Sequence, residues 1–194
     1  MVGEAAADRA APMAEGSLMK YCSQCGHRVA LTVPDGDTLP RYVCERCRTV
    51  HYENPKVVVG CVPEYEGRIL LCKRAIEPRL GYWTVPAGFM ENGETLQQGA
   101  ARETLEEAEA RVEIGELFAV VDVVRARQVH MLFRARMLDG RYGAGHESLE
   151  CRLVSEDEIP WDEIAFASVR FGLEAWLEDR RSGRPRLHMT AFHP

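Results

Sequence analysis

The sequence predicts an α/β protein in two parts: a mixed sheet with helices packed on it, as an α/β/α sandwich, preceded by a small cysteine-bound module. An α+β arrangement is the alternative. Three observations predict this. Val-, Leu- and Ile-rich runs of strand length recur from residue 56 onwards, two proline-free segments at 95–109 and 166–180 read as helices, and four of the seven cysteines stand as two C-x-x-C pairs. At 194 residues and 21.8 kDa the chain has room for one ordinary domain and a small module. An apolar share of 46% with 28% charged residues matches a soluble globular chain.

Residues 1–18 are Ala-rich with Glu4, Asp8 and Glu15 spread among them, and read as a mobile tail without the basic and apolar regions of a secretory signal. Met1, Met13 and Met19 are all possible starts. Cys22-Ser-Gln-Cys25 and Cys44-Glu-Arg-Cys47 follow, 18 residues apart. Each turn presents two thiolates to one ion, and two such turns complete a tetrahedral Zn²⁺ site, so residues 19–53 read as a zinc ribbon. A disulfide framework is the competing reading, and an odd cysteine count without an export signal suits it less. His27 and His51 flank the cysteines as substitute ligands. Cys61, Cys72 and Cys151 lie in apolar runs and read as small buried hydrophobes.

Asn54-Pro55 marks a boundary, and 54–194 reads as the second domain. Residues 56–63 and 68–74 are strands joined by a Glu66-Gly67 hairpin turn. A short strand at 82–85 runs into Pro86-Ala87-Gly88. The helix at 95–109 comes next, then long strands at 112–124 and 128–138, and a Gly-rich loop at 139–148. A strand at 149–154 and an amphipathic helix at 166–180 close the domain.

The chemistry lies between Gly88 and Ala110: Gly88, five residues, Glu94, seven residues, Arg102-Glu103, two residues, Glu106-Glu107. Helical spacing puts Glu103, Glu106 and Glu107 on one face, with Arg102 four residues before Glu106 to brace it. Ala101, Leu105 and Ala108 are expected to pack on the sheet from the opposite face. Three like charges on one face repel unless a cation joins them, and a carboxylate set without imidazole favours Mg²⁺ or Mn²⁺. A solvated acidic face is the plain alternative. Six fixed positions match by chance only on the order of 10⁻⁷ of the time.

This string resembles the Nudix box, G-x5-E-x7-R-E-U-x-E-E-x-G-U with U apolar. The resemblance to the Nudix hydrolases implies a Nudix-type α/β/α sandwich and metal-dependent cleavage of a diphosphate linked to a nucleoside. It implies Glu103, Glu106 and Glu107 as metal-binding carboxylates, the carbonyl of Ala87 as a further ligand, and Glu94 and Arg102 as bracing residues. Thr104, Glu109 and Ala110 depart from the box, and Glu109 stands where a Gly normally closes the helix in the left-handed region, at a cost of ~1 kcal/mol or more.

A zinc ribbon ahead of such a domain is similar to the NADH pyrophosphatases and to a group of ADP-ribose and FAD pyrophosphatases. The first carry S-Q-P-W-P-F-P after the box, where this chain has Phe118-Ala119-Val120-Val121-Asp122. The second are resembled at Gly81-Tyr82-Trp83-Thr84-Val85-Pro86 and Glu158-Ile159-Pro160-Trp161, so FAD or ADP-ribose is the expected substrate, and NADH or a dinucleoside polyphosphate the alternative. In related enzymes a loop Glu after the box activates water; Glu147 and Glu150 occupy that loop and read equally as solvated charges. Tyr82, Trp83 and Phe166 offer rings for a nucleobase or flavin, with core packing as the alternative, and Arg74 a partner for phosphate.

A net charge of −6 counts against nucleic acid, which is held by neutralising phosphates. No apolar run approaches the ~20 residues that span a bilayer. The expected partner is a small nucleotide diphosphate, the expected location cytoplasmic, and a homodimer is left open. A reading of another class, a zinc-ribbon binding module on an inactive Nudix fold, is separated from an enzyme by metal-dependent release of AMP.

Overall fold

The computed structural model describes residues 19–193. The expected tail at 1–18, with the alternative starts Met1 and Met13, lies outside them. The chain forms two compact units that divide between Asn54 and Pro55.

In the first unit β1 (Val29–Thr32), β2 (Arg41–Cys44) and β3 (Val50–His51) pair antiparallel in that order. The two C-x-x-C segments make equivalent knuckles. Gly26 and Arg48 follow them in the left-handed region, and their amides bond the carbonyls of Cys22 and Cys44 at 2.9 and 3.1 Å. The buried apolar side chains described in this unit are Cys22, Tyr42, Val43 and Cys44.

The second unit opens with β4 (Lys56–Tyr65) and β5 (Arg68–Arg74), joined through Glu66 and Gly67, both at positive φ as a type I′ turn needs. β6 (Trp83–Thr84) and β7 (Ala87–Phe89) lead to α1 (Leu96–Ala108), which Thr95 caps in a box with Gln98. β8 (Val112–Val123), β9 (Gln128–Met137), β10 (Ser148–Val154), α2 (Ala167–Ser182) and β11 (His188–Phe192) complete the unit. The sheet order is β10-β5-β4-β9-β8-β11, with β6 on β5 and β7 on β4. β4 runs parallel to β9 and antiparallel to β5, so the sheet is mixed as expected.

Alternation along the strands builds two cores. Ile69 and Leu71 of β5 join Val62, Phe118 and Leu132 against Val169, Leu173 and Trp176 of α2. Leu70 and Cys72, on the other face, meet Ala108 of α1, while Val59, Cys61 and Phe133 meet Ala100. The result is an α/β/α sandwich. Among the described residues no helix is long and apolar enough to cross a membrane.

One packing expectation is corrected. Leu105 is 51% exposed, and α1 buries Gly99, Ala100, Glu103, Thr104, Glu107 and Ala108 instead. The helix therefore turns two of its carboxylates inward, where Glu103 meets Arg102 and Glu107 meets the Ala87 amide.

Candidate active site and metal centre

The active-site cluster begins with backbone. β7 pairs with β4 through Gly60 and Ala87, and this sets Gly88 against α1. A Cβ on Gly88 would land on the Glu103 carboxyl, so glycine is needed there for close approach. The far end of α1 is closed by Glu109 at φ 50°, whose amide bonds the Leu105 carbonyl at 3.0 Å. The last carbonyls are then met from the Gly-rich loop: the Gly143 amide bonds Ala108 at 2.9 Å and the Gly145 amide bonds Glu107 at 3.0 Å. These bonds account for a helix end that lacks the usual glycine. Thr104, the other polar departure from the box, is fully buried, and its hydroxyl donates to the Ala100 carbonyl at 2.8 Å beside the Cys61 thiol.

Arg102 organises the carboxylates by using all five of its N–H groups. Nε and Nη2 bond the two oxygens of Glu94 at 3.0 and 2.8 Å, Nη1 bonds Glu103 at 2.7 Å and Glu106 at 3.0 Å, and Nη2 also bonds the Phe89 carbonyl at 3.0 Å. The pairing holds the Glu94 carboxyl down at about 2. Glu103 is buried, which pushes its carboxyl up against the pull of Arg102, and Glu106 and Glu147 add to the push. Glu107 is buried too, and its Oε2 accepts the Ala87 amide at 3.2 Å. Burial, with Glu103 and Glu147 adding, pushes it up to about 8 against the pull of the Ala87 amide and Arg74.

Those influences locate the remaining groups. Glu147 lies close enough to both buried carboxylates to act on each, and its carbonyl is anchored by the Ala75 amide at 2.8 Å. Glu150 sits on β10 opposite Lys73 and pairs with Arg152 at 2.6 Å. The structure therefore brings Glu147 to the cluster and turns Glu150 to a cation of its own strand. Arg74 faces Glu107, donates to the Pro78 carbonyl at 2.9 Å, and lies 5.0 Å from the Phe166 ring centre. Tyr82 is exposed, with Arg79 5.2 Å from its ring. Trp83 is corrected: at 4% exposure it belongs to the core, with Lys73 and Arg152 within 5.6 and 5.1 Å of its ring centre, and has no open face for a ligand. The Phe89 carbonyl and the amides of Gly143 and Gly145 were not anticipated as supports, because backbone groups carry no signal in side-chain pattern.

The second centre lies in the first unit. The sulfurs of Cys22, Cys25, Cys44 and Cys47 are all within 4.8 Å of one another, at 3.5–3.6 Å for the close pairs. A tetrahedron with Zn–S of about 2.3 Å has S···S edges of about 3.8 Å, so the four sulfurs fit one ion. The Gln24 and Cys47 amides, each at 3.4 Å, and His51 Nε2 at 3.3 Å approach the sulfurs from outside. Among the described residues this is the set of three or more donors drawn that close. The carboxylates of Glu103, Glu106 and Glu107 stand further apart, since the guanidinium of Arg102 lies between Glu103 and Glu106.

Comparison with known proteins matches both units of the chain. Residues 20–53 match the family described as Nudix N-terminal, a zinc ribbon, and residues 54–177 match the NUDIX domain. An ADP-ribose pyrophosphatase of Methanocaldococcus jannaschii is 29% identical over 119 residues, 59% of this chain and 69% of that one. The NAD-capped RNA hydrolase NudC of Vibrio vulnificus is 38% identical over 145 residues, 73% of this chain and 53% of that one. The chain spans 31% to 53% of the length of the NAD-capped RNA hydrolases it matches. The crystal structure of a NUDIX hydrolase from Nitrosomonas europaea is 58% identical, with a TM-score of 0.87, covering 91% of this chain and all of that one. The NUDIX match takes in more than half of the chain, and the protein belongs to the Nudix hydrolase family, with a zinc-ribbon module ahead of its hydrolase domain.

Proposed function

We propose that the enzyme hydrolyses a diphosphate joining adenosine to a second moiety, ADP-ribose or FAD, and releases AMP. The observation that carries this is the convergence of Glu103, Glu107 and Glu147 beside Gly88, with Arg74 near Glu107. In this reading Glu103, Glu106, Glu107 and the Ala87 carbonyl hold Mg²⁺ or Mn²⁺. The donors are hard oxygens, and the buried Glu107, pushed up to about 8, needs a neighbouring cation to stay ionised at neutral pH. When bound, such a cation offsets charge on the diphosphate oxygens and lowers the pKa of water.

The chain's own residues do the rest. Arg102 fixes Glu103 and Glu106 through one nitrogen, so the two carboxylates keep their places as charge changes beside them. Glu147, on a loop anchored at both Ala75 and Gly145, is assigned to take the proton of the attacking water at its carboxylate. In this reading Arg74 meets a phosphate oxygen, and Tyr82 and Phe166 meet a ring. Zn²⁺ on the four cysteines is structural, because four thiolates leave no open position.

A second reading, cleavage of NAD ends, is favoured by the likeness to NAD-capped RNA hydrolases. Against it stand Phe118-Ala119-Val120-Val121-Asp122 in place of S-Q-P-W-P-F-P, and a net charge of −6. Incubating the protein with ADP-ribose, FAD, NADH and a dinucleoside polyphosphate, with Mg²⁺ or Mn²⁺, decides between them. AMP from the first two at the highest kcat/KM is expected; preferential turnover of NADH or the polyphosphate would reject the substrate assignment.

A further inference from the structure

β10 sets Cys151 directly opposite Cys72 of β5, with the sulfurs 3.4 Å apart. Directly opposed residues of an antiparallel pair have Cα atoms about 4.5–5.5 Å apart, inside the range of about 4.4–6.8 Å that a disulfide spans. The two thiols differ in access. Cys72 is buried in the cluster beneath Ala108, while Cys151, on the strand at the end of the sheet, is half-buried. The Cys151 sulfur also lies 3.5 Å from the Glu107 carbonyl, the same oxygen that accepts the Gly145 amide. Cys61 offers no such pair: its thiol is enclosed against Thr104.

We propose that Cys72 and Cys151 form a redox-modification site, a thiol pair that hydrogen peroxide closes into a disulfide and that is mechanically joined to the turn carrying Glu107. The sulfur of Cys151, the less buried residue of the two, attacks one peroxide oxygen, the O–O bond breaks, and the products are the Cys151 sulfenic acid and one water. The Cys72 sulfur then attacks the Cys151 sulfur and displaces hydroxide, which leaves as a second water with the Cys72 thiol proton. Two thiols are oxidised by two electrons and one peroxide is reduced to two waters. Closure to about 2.05 Å draws the sulfurs together by about 1.4 Å, which removes the Cys151 contact with Glu107 and pulls on β10 where it leaves the Glu147 loop.

Bond formation stands apart from the function proposed above, whereas its effect on turnover rests on that reading. The test treats full-length, zinc-loaded protein with stoichiometric hydrogen peroxide. Peptide mass spectrometry then looks for a Cys72–Cys151 cross-link, a loss of two hydrogens that dithiothreitol restores. Hydrogen exchange follows the Gly145 amide, and AMP release is assayed in parallel. The cross-link, faster Gly145 exchange and a several-fold fall in turnover, all reversed by dithiothreitol and all absent in Cys151→Ala, are expected. Oxidation of Cys151 to sulfinic acid without the cross-link overturns the proposal, and so does a cross-link that leaves exchange unchanged. Absence of AMP release from reduced and oxidised protein alike counts against the proposed substrate only, because cross-link and exchange are read without it.

Discussion

In the proposed site Glu107 is a carboxyl that would serve metal binding at the expense of the fold. Burial lifts it to about 8 from an ordinary value near 4.5, so the folded state holds its proton more tightly than the unfolded chain does. A group raised in this way favours the fold below its unfolded pKa, and that support is lost as pH rises through the folded one. Metal-free Glu107→Gln is therefore expected to melt at the same temperature as the parent or higher, with the gain largest near pH 8 and above. Its turnover should fall by about 10²-fold or more, since several kcal/mol of charge stabilisation goes with the ligand. Glu106→Gln should lose turnover similarly; full Mg²⁺-dependent activity in the double variant would show that the metal set is misassigned. Gly88→Ala tests the other side of the cluster. Its Cβ falls on the Glu103 carboxyl, so a loss of about 1–3 kcal/mol in denaturant unfolding is expected, together with impaired turnover.

Elements with a strong local pattern were legible before the structure, and elements fixed by distant partners were not. The hairpin at Glu66-Gly67 announces itself through turn chemistry, α1 through a proline-free run rich in Glu and Ala, and β8 and β9 through their long apolar runs. β11 does not. It is a short strand at the end of the sheet, parallel to β8, and two of its five residues are exposed. What secures it is a buried charge at the end of α2: Asp179 accepts from His188 Nε2 at 2.9 Å and from the Arg186 amide at 3.3 Å, and pairs with Arg134 of β9. The inward turn of Glu103 and Glu107 escaped notice for the same reason, because Arg102, the Ala87 amide and Gly88 are brought together only by folding. Asp179→Asn should cost about 3–5 kcal/mol, as expected when one partner of a buried ionic pair is removed, and should loosen β11 in hydrogen exchange. Burial pushes the Asp179 carboxyl up, but His188, the Arg186 amide and Arg134 outweigh it and hold it below the usual range. Its support is thus present above the unfolded pKa near 4 and lost as pH falls through the folded one. The variant should accordingly flatten the acid limb of stability; an unchanged limb would assign that limb to other carboxylates.

The two units are stabilised by different physics. The hydrolase unit buries three apolar clusters around its sheet. Among the described residues of the first unit, the buried apolar set is Cys22, Tyr42, Val43 and Cys44, and two of those four belong to the four-sulfur cluster, while Tyr21, Leu31, Val33, Leu39 and Tyr52 stay exposed. So few buried side chains cannot offset the backbone entropy of some thirty-five ordered residues, at roughly 1–2 kcal/mol each. Ion binding at the four sulfurs must then supply the difference, and apparent zinc affinities of about 10–16 kcal/mol for small Cys/His modules are of the size required. One tightly held zinc per chain is expected by elemental analysis. Cys44→Ser, or a strong chelator, should release it and abolish amide protection across 20–53, whereas the amides of β4, β8 and β9 should keep theirs, because their core contains no sulfur–metal bond. Purified protein without zinc, yet with protected amides at Val43 and Val50, would show that the ribbon is held by something other than its metal. Simultaneous loss of protection in both units would show that the hydrolase domain depends on the ribbon for its stability.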